Sequence, residues 1–185
     1  MNETPSIERV IRENPKVELL HKAVKPMAIV HVQECFRRNV AVTVVSGRRT
    51  PEEQHRLYLK GRDSTPPHEV VDRSKVVTWL DWFGWHVFGA AYDLALVRLS
   101  TTSQSKIITW EDGDRDRDGV MDWLEVAKAA EECGMFDRKK GEIGAFWTRF
   151  PDVPHFERHR GIELADAIRR HRAGLDVLTG EKLPA

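Results

Sequence analysis

Gly84-Trp85-His86-Val87-Phe88-Gly89-Ala90-Ala91-Tyr92-Asp93 is the stretch around which the chain is organised. From Ala90 to Leu99 the residues are small, β-branched and apolar enough for a buried strand. Asp93 then puts an acid into a core, where an unpaired carboxylate is costly unless a cation or hydrogen-bond donors offset it. Gly89 lets the chain turn sharply from the His86 loop into that strand, which brings the histidine and the aspartate together.

A second cluster, Pro151-Asp152-Val153-Pro154-His155-Phe156-Glu157, complements the first. Pro154 holds the backbone extended, and Val153 before it is pushed towards β geometry. On so stiff a segment His155 can ligate a metal while Asp152 stands off, near enough to take a proton from an activated water. Catalytic zinc takes three protein ligands from His and Asp/Glu. His86, Asp93 and His155 match that count, and Asp152 is left as a general base, a role worth ~100 to 10,000-fold in rate. Either histidine alone reads as a satisfied structural residue; the two segments together are far more specific.

Three segments, in order, carry a family resemblance: Ser46-Gly47-Arg48-Arg49-Thr50, Gly84 to Asp93, and Asp152 to Glu157. Over roughly residues 16 to 158 the chain resembles the zinc peptidases that include VanY-like D-alanyl-D-alanine carboxypeptidases and the L-alanyl-D-glutamate endopeptidases of phage lysins. The resemblance implies an α+β fold of the hedgehog / D-Ala-D-Ala peptidase-like kind, a small antiparallel sheet with flanking helices and a single zinc site in a cleft. It implies that His86, Asp93 and His155 bind zinc, that Asp152 is the base, and that Arg49 contacts substrate or the oxyanion. Gly84 stands where the family usually has Ser, a departure that touches a supporting hydrogen bond and not the ligand set.

Composition agrees with such a reading. With 185 residues, 41% hydrophobic and 31% charged, the chain suits one globular peptidase domain, with a helical extension over roughly residues 161–179. Lys plus Arg equals Asp plus Glu at 29 each, so no global field points to nucleic acid. Cys35 and Cys133 give no disulfide framework and are expected as free thiols. Met1 to Asn14 lacks the apolar core of a secretion signal, and no stretch approaches the ~20 apolar residues of a membrane span. The expectation is cytoplasmic synthesis of a monomer that reaches the wall after release through a separate pore-forming protein.

Local signals set the expected elements. Ser6 to Glu13 reads as a short helix and Val17 to Arg38 as helical, with Pro26 in the first turn of a second helix that runs to Arg38 and has Ile29, Val32 and Phe36 facing inward. Val40 to Val45 is a strand that runs into the Arg49 segment. Thr50 with Glu53 is a capping box, and Pro51 opens a helix to Arg62. Asp63 to Ser74 is a loop, and Val76 to Trp79 a short strand. Trp79, Trp82, Phe83 and Trp85 crowd the approach to His86 as core or pocket wall. Ile143 to Trp147 is expected to pair near the His155 segment, with Glu157 orienting a ligand. Leu164, Ile168, His171, Leu175 and Leu178 form an apolar stripe that docks a C-terminal helix, rich in arginine on its solvated side.

Asp114-Arg115-Asp116-Arg117-Asp118-Gly119-Val120-Met121-Asp122-Trp123-Leu124-Glu125 fits the twelve-residue calcium loop of EF-hands. On that template Asp114, Asp116, Asp118 and Glu125 offer side-chain oxygens, Val120 a backbone carbonyl, and Asp122 a contact through water. A salt-bridged surface loop is the plainer reading, but such a loop requires neither the glycine at six nor the glutamate at twelve. The incoming helix of a full hand is missing; the loop precedes a helix Asp122 to Cys133.

The expected function is therefore a zinc-dependent peptidase acting on the peptidoglycan stem peptide, an L-alanyl-D-glutamate endopeptidase of phage-lysin type with calcium regulation. A D-Ala-D-Ala carboxypeptidase and a non-catalytic, metal-stabilised wall-binding protein are the alternatives.

Overall fold

A computed structural model describes residues 14–99 and 106–183. The helix expected over Ser6 to Glu13 lies outside the described residues. The order is α1 (Pro15–Glu18), α2 (Lys25–Arg37), β1 (Val42–Ser46), α3 (Pro51–Tyr58), β2 (Ala91–Leu99), β3 (Lys106–Thr109), α4 (Asp122–Glu132), β4 (His155–Glu157) and α5 (Leu164–Arg172). The architecture is α+β, with one small antiparallel sheet and helices beside it.

β2 is the spine of the sheet. One edge pairs with β1, and the other pairs with β4 at its start and β3 at its end, every pairing antiparallel. Asp93 therefore has Ser46 opposite it on one side and His155 on the other. An extra residue between Val44 and Ser46 bulges β1 and re-aims Ser46 toward Asp93. Because side chains alternate along a strand, Tyr92 and Leu94 face the core while Asp93 faces the opposite side. The acid expected inside the core thus lies on the cleft face, with its side chain 15% exposed.

The core joins that inner face to α2 and α4. Tyr92, Leu94, Leu96 and Phe156 pack with Val32, Cys35, Val126 and Ala130, all essentially without solvent contact. His31, fully buried, bridges the layers: its Nδ1 accepts from the Tyr92 hydroxyl at 2.8 Å, and its Nε2 donates to the Val126 carbonyl at 2.9 Å. The face of α2 that points inward is Met27, Ala28, His31, Val32 and Cys35, with Ile29 and Phe36 only partly buried. The apolar stripe thus has Val32 inside as expected but leaves out the histidine and the cysteine that belong to the buried face.

The second helix expected from Pro26 forms: α1 ends at Glu18, and α2 opens at Lys25 with Pro26 in its first turn. Other local expectations shift. The Thr50–Glu53 capping box is formed, but its helix stops at Tyr58 rather than Arg62. Val76 to Trp79 is not a strand, and Ile143 contributes a single bridge to Phe156 before a 3-10 turn, Gly144–Phe146. α5 ends at Arg172, after which Asp176 caps the closing turn through the Leu178 and Thr179 amides and accepts from His21 at 2.9 Å. Arg170 donates to the Val177 carbonyl and Arg158 to buried Glu142, so part of the C-terminal basic charge is structural. Cys35 and Cys133 are free thiols.

Candidate metal centre and active site

The turn over residues 84–89 is closed by hydrogen bonds from Val87 to Gly84 and from Ala90 to Trp85. Gly89 has a φ of +68°, and a Cβ there would come 2.9 Å from the His21 amide, so the sharp entry into β2 requires glycine. The Arg49 amide donates to the His86 carbonyl at 3.1 Å, which ties the segment after β1 to this turn. His86 arrives from the turn, Asp93 from β2 and His155 from β4.

The three side chains meet. His86 Nε2 stands 3.2 Å from His155 Nδ1 and 3.3 Å from Asp93 Oδ1, and His155 Nδ1 is 2.9 Å from the same oxygen. Donors bound tetrahedrally at ~2.0–2.1 Å from zinc stand ~3.3 Å apart, so the set is spaced for one ion. The opposite nitrogen of each ring is already committed. His86 Nδ1 donates to the Gly47 carbonyl at 2.7 Å, and His155 Nε2 donates to Glu157 Oε2 at 3.0 Å. That leaves one lone pair on each ring converging with a carboxylate oxygen, an arrangement that repels itself unless positive charge lies among the three.

The titration behaviour carries the same message. Burial opposes a charge on His155, yet hydrogen bonds to Asp93 and Glu157 outweigh it and push the ring up to about 10. Burial also opposes ionisation of Asp93, but His86 and His155 hold it well below the usual carboxylate range. Burial pulls His86 down. With only protons available, one settles where a divalent cation fits.

Arg49 completes the arrangement of Asp93. Its Nη2 donates to Asp93 Oδ2 and to Ser46 Oγ, both at 2.8 Å, and its Nη1 reaches Gln54 Oε1 at 3.3 Å. The guanidinium thus grips the oxygen of Asp93 that does not face the histidines. Asp152 lines the same cleft, and its carboxyl accepts no hydrogen bond among the described residues. Burial, countered by His155 and reinforced by Asp93, raises it above the ordinary aspartate value. Its position depends on Gly144, where a Cβ would lie 2.2 Å from the Asp152 carbonyl oxygen. The Asp152 amide in turn donates to the Gly144 carbonyl at 3.0 Å.

The cleft has a volume of about 370 Å³. Of the four aromatics expected at its approach, Trp79 and Trp85 line it, whereas Trp82 stacks on His55 and Phe83 packs against Phe88. Trp110, Trp147 and Phe150 complete the wall and went unread in the sequence. The same holds for Glu142, wholly buried, which accepts from Arg158 and from the Asp137 and Arg160 amides while its carbonyl takes the Glu157 amide. Nothing in residue spacing marks such a clamp, because its partners lie on both sides of β4.

In the acidic loop, Asp114, Asp116 and Asp118 come together, exposed, with their ligand atoms within 4.8 Å of one another. Asp114 accepts from the Asp118 and Gly119 amides at 3.1 and 3.0 Å. Asp122 is turned inward and paired with Arg115, so it does not join the cluster. Glu125 is only 7% exposed and its Oε2 has no hydrogen-bond partner among the described residues; burial, with Asp118 and Asp116 nearby, raises its pKa. The Val120 amide donates to Asp118 at 2.8 Å.

No protein-family model matches the chain. The chain is 28% identical, over 152 residues covering 81% of it and 80% of the relative, to the peptidoglycan L-alanyl-D-glutamate endopeptidase CwlK of Bacillus subtilis (strain 168). Among solved structures, the L-Ala D-Glu endopeptidase ChiX of Serratia marcescens is similar with a TM-score of 0.48 and 19% identity, over 79% of this chain and 85% of that one. By its three ordered motifs and by this relative, the chain resembles the L-alanyl-D-glutamate endopeptidases of the VanY-like peptidase group.

Proposed function

We propose that this protein is a zinc-dependent peptidoglycan hydrolase that cuts the stem peptide between L-alanine and D-glutamate. The observation that carries the reading is the convergence of one lone pair from each of two buried histidines on a carboxylate oxygen, with a second acid, Asp152, in the same cleft. A purely structural site would need the ligands but no such acid. The choice of bond rests on the similarity to CwlK.

His86, Asp93 and His155 would hold the zinc, which supplies Lewis acidity toward the scissile carbonyl and the attacking water. Gly47 and Glu157 keep each histidine in the tautomer that presents its lone pair. Arg49 holds Asp93 by its other oxygen and contributes positive charge at the cleft wall, where negative charge develops on the carbonyl oxygen. Asp152 takes the proton from water as it attacks and returns it to the departing amine. Trp79, Trp110, Trp147 and Phe150 exclude solvent from the bound peptide.

Mass spectrometry of purified sacculi digested with the zinc-loaded protein tests this directly. New amino-terminal D-glutamate is expected. Released D-alanine would establish a carboxypeptidase instead, and an absence of product would remove the catalytic reading.

We further propose that the loop from Asp114 to Glu125 binds calcium. Three clustered carboxylates and a buried glutamate oxygen without a hydrogen-bond partner among the described residues support it. The loop also adjoins the cleft, since the Trp123 indole donates to the Trp110 carbonyl at 3.3 Å and Trp110 lines the wall. Calcium is expected to raise thermal stability and turnover. Glu125→Gln should weaken calcium binding, read by calorimetry, at least tenfold; unchanged affinity and unchanged activity would contradict the assignment.

A further inference from the structure

Beside the cleft lies a second groove of about 600 Å³, and the two share Arg49 and Leu57. Lys16, Arg48, Arg56 and Lys60 line it, with Glu53 as its one acid. Glu53 is already engaged, because its carboxylate accepts from the Thr50 amide at 2.8 Å. The side chains of Lys16, Arg48, Arg56 and Lys60 form no ion pair among the described residues. In a chain whose formal charge sums to zero, four such cations along one groove are a local concentration of positive charge. The cleft wall itself is aromatic, with Trp79, Trp110 and Phe150 exposed in it.

We propose that this groove binds the carboxylates of the stem peptide on the carboxyl-terminal side of the scissile bond. The inference rests on the function proposed above and adds to it a direction of substrate binding. A stem peptide cut after L-alanine presents unequal ends. Before the bond lies one neutral residue attached to sugar. After it lie the free carboxylate of D-glutamate and those of the residues that follow. An acidic segment leaving the cleft past Arg49 meets this run of cations. Arg48 and Arg56 add planar donor forks that match a carboxylate. Each exposed contact is individually modest, but cations arranged along one path add and also steer the approaching anion.

The test compares two disaccharide-peptide substrates, one with free carboxylates and one with the same carboxylates amidated, for the parent and for the doubly substituted Arg56→Glu/Lys60→Glu protein. For the free-acid substrate KM should rise on the order of tenfold with kcat unchanged. For the amidated substrate neither constant should move, and the difference should shrink at high salt. A KM unaffected on both substrates, or raised equally on both, overturns the groove. So does an unchanged KM accompanied by weaker binding to sacculi that disappears once phosphodiester polymers are stripped from them, because the groove would then serve a wall polymer. Should the charge reversals fail to fold, Arg56→Gln/Lys60→Gln reads the same quantities. If the parent cuts neither substrate the proposed function fails and the groove with it; if it cuts both and ignores the substitutions, the groove alone fails.

Discussion

At the scale of single residues, what makes the site is which atom of each side chain is already committed. Gly47 and Glu157 hold the outer nitrogens of His86 and His155, so the inner nitrogens have no alternative but to face Asp93. Glu157→Gln is therefore expected to weaken zinc binding about 10- to 100-fold, because the amide holds the His155 ring less firmly in its tautomer. Competition with a graded series of chelators measures it. That His86, Asp93, His155 and Asp152 come together was legible in the sequence, because each is a polar residue fixed within a stiff or glycine-jointed segment. Gly144 was not, since its reason for being glycine is a carbonyl eight positions later in the chain. Gly144→Ala should lower turnover by roughly tenfold or more and cost about 1–3 kcal/mol of stability, as read by steady-state kinetics and urea unfolding. Parent-like turnover would show that Asp152 tolerates displacement.

At the scale of elements, capping chemistry was more readable than periodicity. Thr50, Pro51 and Glu53 announce the start of α3 by interactions that lie within four residues, and all of them form. Thr50→Ala should cost about 1 kcal/mol in urea unfolding while leaving kcat within about twofold, because the cap supports α3 rather than the reacting groups. The inner face of α2 and the segment Ile143 to Trp147 were legible only in part, for the opposite reason: tertiary partners decide them. A buried histidine on α2 is satisfied by Tyr92 and Val126, far away in sequence, and Ile143 finds only one bridge because the chain must turn at Gly144 to seat Asp152. The wall residues Trp110 and Phe150 belong to the same class, since loops bring them to the cleft with no repeating pattern to announce it.

For the molecule as a whole, the same polar bridge through the core sets a dependence on pH. Burial, only partly countered by its hydrogen bond to Val126, lowers His31 from 6.5 to about 4. The unfolded chain therefore binds a proton there that the folded one refuses, so this contribution is fully present above pH ~6.5 and is lost as pH falls toward ~4. Between pH 7 and 5 the loss from His31 is about 2 kcal/mol. Urea unfolding of the parent and of His31→Gln, both with metal removed, should show a pH dependence smaller by that amount in the variant; equal slopes would contradict it. At this scale the sequence conveyed the α+β class and the order of the motifs. The cleft was legible only through the family resemblance and not from residue patterns, because β2 has to carry β1 on one edge and β4 on the other before Ser46, Asp93 and His155 line up. That alignment is what the account stands on, and turnover per bound zinc in Asp152→Asn tests it most directly. The account predicts one zinc per chain, as in the parent, with sacculus digestion slower by ~100-fold or more; a zinc-loaded variant that digests as fast as the parent would contradict it.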